Sequence, residues 1–193
     1  MRTLSSRHQF LIGTVLVVLL IATRGQHFAS LHNLPGASWA VFFLAGVYLR
    51  PAWALPGLLA LTWTVDFAAY LAGGAGSFCL TPAYVFLLPA YSALWLAGRW
   101  YAHRHRFDGR TLLPLTAALL VGASVCELFS SGGFYFFSGR FADPTLAEFG
   151  IRLTRYFPPY LQSLAFYVGS AAALHAVLGL AYGAARCRKV TVS

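Results

Sequence analysis

Residues 73–89 read GGAGSFCLTPAYVFLLP, a glycine-rich turn that leads into a helix between two long apolar runs. Thr81 and Pro82 predict the helix start, because threonine at the N-cap accepts a backbone N–H bond and proline suits the first helical position. Cys79 precedes this start. The positive end of the helix dipole favours a thiolate there, and the glycines let a bulky ligand approach the backbone. The stretch therefore predicts either a soft metal ligand or a cysteine that only packs.

The composition indicates an integral membrane protein. Of 193 residues, 59% are hydrophobic and 10% are charged, whereas about a quarter of the residues in soluble proteins are charged. The cysteines, at positions 79, 126 and 187, form neither an even set nor a C-x-x-C pair. This argues against a disulfide scaffold and a zinc ribbon. We see no internal repeat and expect a single membrane domain over residues 1–193.

Six apolar runs predict an all-α, six-helix transmembrane bundle. The predicted helices cover about residues 8–23, 37–49, 53–72, 82–98, 111–130 and 159–185. Several approach the ~20 residues that a helix needs to cross the bilayer core. The first run follows Arg2 and Arg7, as in a signal peptide, but no small-x-small cleavage site precedes Arg24. We interpret it as a retained span.

The distribution of positive charge predicts the orientation. With the N-terminus in the cytoplasm, ten basic residues fall in inner segments and four in outer loops. The inner ones are Arg2, Arg7, Arg50, Arg99, Arg104, Arg106, Arg110, Arg186, Arg188 and Lys189; the outer ones are Arg24, Arg140, Arg152 and Arg155. The positive-inside rule then places both termini in the cytoplasm. We interpret the basic run at residues 99–110 as a loop facing anionic lipid, not as a nucleic-acid site.

This orientation places three loops outside, at residues 24–36, 73–81 and 131–158. The third is longer than ordinary connections. It is rich in aromatic residues, which disorder does not explain: Phe134, Tyr135, Phe136, Phe137, Phe141 and Phe149. We expect it to fold as a lid over the outer end of the bundle.

Two acids, Asp66 and Glu127, lie inside predicted spans. Ionisable groups at such depth are costly and usually face the bundle interior or a water-filled cavity. At ~1.5 Å per residue, both are predicted within roughly 4–9 Å of the outer surface, near the level of Cys79. Each acid either contacts a ligand or only bonds a neighbouring helix, and the sequence leaves both interpretations open.

Other candidate ligands are histidines and a second cysteine. His27 and His32 lie in the outer loop before the second helix, where an imidazole can reach a metal that faces Cys79; a solvated loop histidine is the alternative. His175 lies in the middle of the last helix and is interpreted as a packing residue. Cys126 is predicted near the outer level, which leaves a disulfide with Cys79 open.

The sequence lacks the motifs of common hydrolases. It contains no GxxxxGK[ST] phosphate loop, no HExxH and no GxSxG. We therefore expect that this chain does not hydrolyse ATP through a P-loop. Energy for any transport comes from a partner or from the solute gradient.

Residues 34–53, LPGASWAVFFLAGVYLRPAW, and residues 76–100, GSFCLTPAYVFLLPAYSALWLAGRW, together resemble the BtuM-type cobalamin-specific S components of energy-coupling factor (ECF) transporters. Six helices with cytoplasmic termini and no nucleotide site are similar to that family. The resemblance implies binding of cobalamin (vitamin B12) and its uptake across the bacterial inner membrane. It also implies that the cysteine of the C-L-T-P-A-Y run, Cys79, ligates cobalt.

A cysteine thiolate is a chemically suitable ligand for cobalt. A thiolate is a strong, soft ligand, and cobalt accepts both sulfur and imidazole. Ligation by Cys79 favours base-off corrinoid and labilises an upper ligand, so slow decyanation of cyanocobalamin is a hypothesis. His27 is the second candidate for the cobalt. The other predicted contacts, with corrin amides or the apolar rim, are Asp66, Gly76, Ser77, Phe78, Tyr84, Phe134, Tyr135 and Phe136.

The first helix departs from the family pattern, because residues 10–23 contain no Ala-x-x-x-Ala for docking to the shared transmembrane partner. Solitary operation is therefore favoured over an ECF energising module. Small residues on the second helix, such as Ala45 and Gly46, predict close helix packing there. Besides cobalamin, we expect membrane lipid as a partner and no nucleic acid.

Two alternatives belong to other classes of protein. One is a membrane enzyme that uses Cys79 with Asp66 or Glu127 for thiol or acyl chemistry, although no histidine lies near Cys79 in the chain. The other is a structural membrane subunit in which every polar group only fixes packing.

Overall fold

The computed structural model describes residues 5–24, 35–72, 81–104 and 111–191, with side chains up to residue 179. These parts of the chain are helical and contain no strand, so the all-α prediction is confirmed. Six helices follow one another: α1 (Ser6–Arg24), α2 (Ser38–Tyr48), α3 (Ala54–Leu71), α4 (Leu87–Arg104), α5 (Leu112–Phe137) and α6 (Leu146–Thr191). A 3-10 turn, Pro82–Phe86, leads into α4, and a π-helical turn, Leu128–Gly132, lies within α5.

Four of these helices are long and apolar enough to cross a membrane: α1, α3, α5 and the part of α6 at Leu146–Gly179. Helix α2 has only 11 residues. Along α1, apolar side chains such as Phe10, Leu11 and Val15 are more than half exposed. Exposed apolar surface of this extent is typical of contact with a membrane or a partner.

Helix α2 lies at the centre of the bundle, since every residue of Trp39–Val47 is buried. It packs mainly against α4. A Cβ on Gly46 would lie 2.1 Å from the carbonyl oxygen of Trp95, and a Cβ on Gly98 would lie 2.1 Å from that of Phe43. The backbones approach this closely only because both residues are glycine, which confirms the predicted close packing of the second helix.

The prediction of a long outer loop at residues 131–158 is wrong for most of its length. Helix α5 continues to Phe137, and Gly139 follows its end with φ +70°, a conformation that favours glycine after a helix. Helix α6 already begins at Leu146. Thr145 explains this start, because its hydroxyl accepts the N–H of Glu148 and its carbonyl accepts that of Phe149.

The predicted start of the last helix at residue 159 is wrong, because Pro158 and Pro159 lie inside α6. Each removes a helical hydrogen bond. Packing on both sides of the pair holds the helix together: Trp39 stacks on Tyr160 with ring centroids 5.2 Å apart and lies 6.4 Å from the ring of Phe157. These contacts with the central helix α2 therefore keep α6 continuous through the two prolines.

One end of the bundle is basic. Arg99 on α4 donates from Nη1 to the carbonyl oxygens of Leu49 at 3.0 Å and Arg50 at 2.9 Å. The N–H of Arg50 donates to Gln9 Oε1 at 3.1 Å. These bonds fix the turn between α2 and α3 against α1 and α4. The residues discussed next lie at the opposite end.

Candidate functional site

Five polar side chains from α1 to α4 meet at one end of the bundle, and we call them the polar cluster. Arg24 ends α1, Ser38 begins α2, Asp66 lies near the end of α3, Tyr84 lies in the 3-10 turn and Tyr91 lies on α4. Consecutive helices run in opposite directions. The last turns of α1 and α3 therefore meet the first turns of α2 and α4.

Arg24 and Asp66 form the centre of this cluster. The Nε and Nη2 of Arg24 donate to Oδ1 and Oδ2 of Asp66, each at 2.7 Å. The side chains are only 12% and 16% exposed. Such a bidentate, charge-assisted pair is among the stronger polar contacts in proteins. It joins residues that are 42 positions apart in the chain.

The remaining members of the cluster bind to this pair. Nη1 of Arg24 donates to Tyr91 Oη at 2.8 Å and to Ser38 Oγ at 3.0 Å. The hydroxyl of Tyr84 donates to Asp66 Oδ2 at 2.6 Å. The predicted bond from Asp66 to neighbouring helices is thus present, while a contact of Asp66 with a ligand stays a prediction.

A cavity of about 380 Å³ lies beside the polar cluster, between the 3-10 turn, α5 and α6. Its aromatic wall residues are Tyr84, Phe134, Tyr135, Phe141, Phe149, Tyr156 and Tyr160. Its polar wall residues are Thr81, Glu127, Ser130, Ser131 and Arg152. Tyr84 belongs both to this wall and to the polar cluster, so it links the cavity to the Arg24–Asp66 pair.

Glu127 is the most deeply buried polar residue of the cavity wall, at 1% exposure. Ser131 Oγ donates to its Oε1 at 2.6 Å. Within the described part of the chain, Oε2 accepts no hydrogen bond and no basic side chain lies within 4.0 Å of the carboxyl group. The predicted location of this acid in the bundle interior is confirmed.

Arg152 brings a positive charge to the same wall. Its Nε donates to Glu148 Oε1 at 3.2 Å, and its guanidinium lies 4.5 Å from the ring centre of Phe141 and 5.3 Å from that of Tyr135. Tyr135 in turn donates to Glu148 Oε2 at 3.1 Å.

The sequence analysis missed Arg152 as a site residue, because it assigned Arg152 to the outer loop. The T-x-x-E pattern at Thr145 and the i,i+4 spacing of Glu148 and Arg152 are the signals that indicate this helix.

The predicted site residues divide into three groups. Tyr84, Phe134 and Tyr135 lie in the cavity wall, and Asp66 lies behind Tyr84. Phe136 is not a wall residue; it packs on Phe149 at 5.5 Å and on Tyr135 at 4.9 Å. The remaining predicted residues lie outside the described part of the chain: Cys79, Gly76, Ser77, Phe78 and His27.

Other candidates lie away from the cavity wall. His175 is half-buried beside Tyr48, with ring centroids 6.0 Å apart. Cys126 is fully buried, and its thiol forms no disulfide within the described ranges. In those ranges, no group of three or more His, Cys, Asp and Glu side chains is arranged to hold a metal ion.

Compared with known proteins, the chain matches no protein-family model and no curated relative.

The volume of the cavity falls in the range of about 300–1,000 Å³ that is typical of ligand pockets. The wall combines aromatic faces with a carboxyl acceptor and with guanidinium and hydroxyl donors. Such a wall can pack against an apolar or aromatic surface of a ligand and form hydrogen bonds with its polar groups.

Proposed function

We propose that this protein binds cobalamin and carries it across the bacterial inner membrane, with the thiolate of Cys79 ligating cobalt. The observation that carries the proposal is the position of the cavity, whose wall begins at Thr81. Cys79 precedes Thr81 by two residues, and two residues of chain span at most about 7 Å. The proposal therefore places its sulfur at the edge of this aromatic cavity.

A corrinoid agrees with the chemistry of the wall. The corrin ring has apolar faces, which suit the aromatic side chains, and its rim carries carboxamides, which suit Glu127, Arg152 and the hydroxyls. The cavity has the volume of a drug-sized ligand. The proposal therefore places one edge of the macrocycle in it, with the cobalt toward Cys79.

The proposed orientation places the cavity at the periplasmic end. Arg50 and Arg99 lie together at the opposite end, and the positive-inside rule assigns that end to the cytoplasm. Four helices have the length and composition to span the membrane. We favour solitary operation over docking to an ECF energising module, because the first helix lacks the small-residue pattern that such docking uses.

Ligation by a thiolate also predicts a ligand-exchange activity. The Cys79 sulfur takes the lower axial position of cobalt in place of the nucleotide base, and its electron donation weakens the bond to the upper ligand. From cyanocobalamin, cyanide leaves with its electron pair and water takes its position. The oxidation state of cobalt does not change, so no reductant is needed.

Visible absorption of the purified protein tests the binding step. Wild-type protein from cells grown with cobalamin is expected to be coloured, and its spectrum is expected to differ from that of free cyanocobalamin. Cys79→Ala should lose this spectrum, whereas Cys126→Ala, which changes a buried thiol of the core, should keep it. A colourless wild type that leaves cyanocobalamin unchanged over hours would contradict the proposal and favour a thiol enzyme or a structural subunit.

Growth tests the transport step. In a bacterial strain that lacks its own cobalamin importer and any ECF module, the wild-type chain should restore cobalamin-dependent growth and Cys79→Ala should not. Rescue that appears only when an ECF module is added would show that uptake needs that partner and would overturn solitary operation.

A further inference from the structure

Among the described residues, one oxygen of the Glu127 carboxyl group accepts a hydrogen bond and the other accepts none. Ser131 binds Oε1 at 2.6 Å, while Oε2 has no partner in the described part of the chain. The residue is 1% exposed and belongs to the cavity wall. Because Glu127 lies in the cavity wall and no described side chain donates to this oxygen, it is suited to a donor that arrives with the ligand.

The other polar side chains of the cavity wall limit which chemical group of a ligand can supply that donor. In the described part of the chain Arg152 donates to Glu148 from Nε only, and Ser130 adds a hydroxyl to the wall. A cavity with an acceptor and several donors matches a group that both donates and accepts. A primary carboxamide and a hydroxyl do so, whereas an ammonium group only donates and a carboxylate only accepts. Of these two, the carboxamide is the group that the rim of the proposed corrinoid ligand carries.

We propose that Glu127 Oε2 accepts the N–H of a primary carboxamide of the ligand, so that the cavity selects amidated corrinoids against those with a free carboxylate at that position. This inference rests on the proposed function. A carboxylate placed against Glu127 could form this hydrogen bond only after it takes up a proton, because two carboxyl groups in contact do not both stay ionised in a poorly solvated site. Loss of a hydrogen bond in such a buried site corresponds to about a 10- to 100-fold difference in affinity.

The test measures the affinity of the full-length protein in detergent for cobalamin and for its monocarboxylic derivatives, in which one propionamide is hydrolysed. Wild type should bind at least one derivative about 10-fold or more weakly than cobalamin. Glu127→Gln should close this gap, because the glutamine amide can donate to a carboxylate. Asp143→Asn removes the same charge from an exposed position outside the cavity wall and should keep the gap.

A second comparison uses wild-type protein only and does not depend on the folding of Glu127→Gln. The derivative that binds weakly is converted into its N-methylamide, which keeps one N–H, and into its N,N-dimethylamide, which has none. The first should bind substantially more tightly than the second.

The outcomes separate this inference from the function on which it rests. Equal affinity of wild type for cobalamin and every monocarboxylic derivative would overturn the role of Glu127, as would a gap that persists in Glu127→Gln or equal affinity for the two methylated amides. In each case cobalamin still binds and the proposed function stands. Failure of wild type to bind cobalamin at all would overturn both.

Discussion

Replacing Asp66 by asparagine removes the negative charge that faces Arg24 at the centre of the polar cluster. The guanidinium then keeps its neutral partners, Ser38 and Tyr91, but lies 12% exposed without a counter-charge. Tyr84 loses a charged acceptor and keeps a neutral one. The substitution preserves the size of the side chain, so its effect reports on charge and not on packing.

The magnitude follows from the burial of the pair. Removing one partner of a buried, hydrogen-bonded ion pair typically lowers the free energy of unfolding by about 3–5 kcal/mol. The two donor–acceptor distances of 2.7 Å and the low exposure of both side chains place this pair in that class. In contrast, the pair of Glu148 and Arg152 is 50% and 36% exposed and spaced i,i+4, and such pairs contribute less than about 1 kcal/mol.

The assay is a double-mutant cycle of unfolding in mixed micelles with Asp66→Asn, Arg24→Met and the double variant. We expect each single variant to be strongly destabilised. The double variant should be less destabilised than the sum of the two, with a coupling energy of about 1–3 kcal/mol. Glu148→Gln is the matched control and should change the free energy of unfolding by less than about 1 kcal/mol.

The cycle has a clear negative result. If Asp66→Asn were no more destabilising than Glu148→Gln, or if the two single effects simply added, the Arg24–Asp66 pair would not hold α1 to α3. The position of Tyr84 at the cavity would then need another explanation.

Two further predictions concern the helices. Gly46→Ala places a Cβ 2.1 Å from a backbone oxygen of α4 and should lower the free energy of unfolding by about 3 kcal/mol or more. At Gly169 an added Cβ would meet no described atom within 4 Å apart from its own stretch of helix, so Gly169→Ala should be neutral or stabilise by up to about 1 kcal/mol. Similar losses in both variants would refute the close crossing of α2 and α4. Thr145→Ala removes the cap of α6 and should destabilise its first turn by about 0.5–2 kcal/mol, seen as faster hydrogen exchange at residues 146–149. Thr154→Ala, which loses only a bond to a carbonyl within the helix, should leave those amides unchanged, and unchanged exchange in Thr145→Ala would show that α6 does not depend on this cap.

The helical class of the fold was predictable from the sequence because six apolar runs and a low charge content leave few other arrangements. The close packing at Gly46 was predictable for a similar reason, since small residues on a short apolar helix have little other use. The interior location of Glu127 followed from the high free energy of a carboxyl group at that depth.

The partners of Asp66 were not predictable in the same way. Arg24 counted only as one of the charges that set the orientation, and nothing in the sequence links it to a residue 42 positions later. The start of α6 did have a local signal in Thr145 and Glu148. Pro158 and Pro159 opposed that signal, and the packing of Trp39 on Tyr160 that overrides them is a tertiary effect.

The residues of the cavity wall were likewise predictable only in part. Tyr84 and Phe134 were predicted from their place in the sequence, after Cys79 and in the aromatic run of the third outer loop. Arg152 was missed because its helix was interpreted as a loop, and a charge in a loop has no defined neighbours. Arg152 lies at the same cavity wall as Glu127 only because its segment forms the helix α6.

The proposal that Cys79 ligates cobalt is tested most directly by X-ray absorption at the cobalt edge of the purified protein mixed with cobalamin. A sulfur scatterer bound to cobalt should be present in wild type and in Cys126→Ala and absent in Cys79→Ala. A first shell of only nitrogen, carbon and oxygen in wild type, or sulfur that persists in Cys79→Ala, would contradict the account.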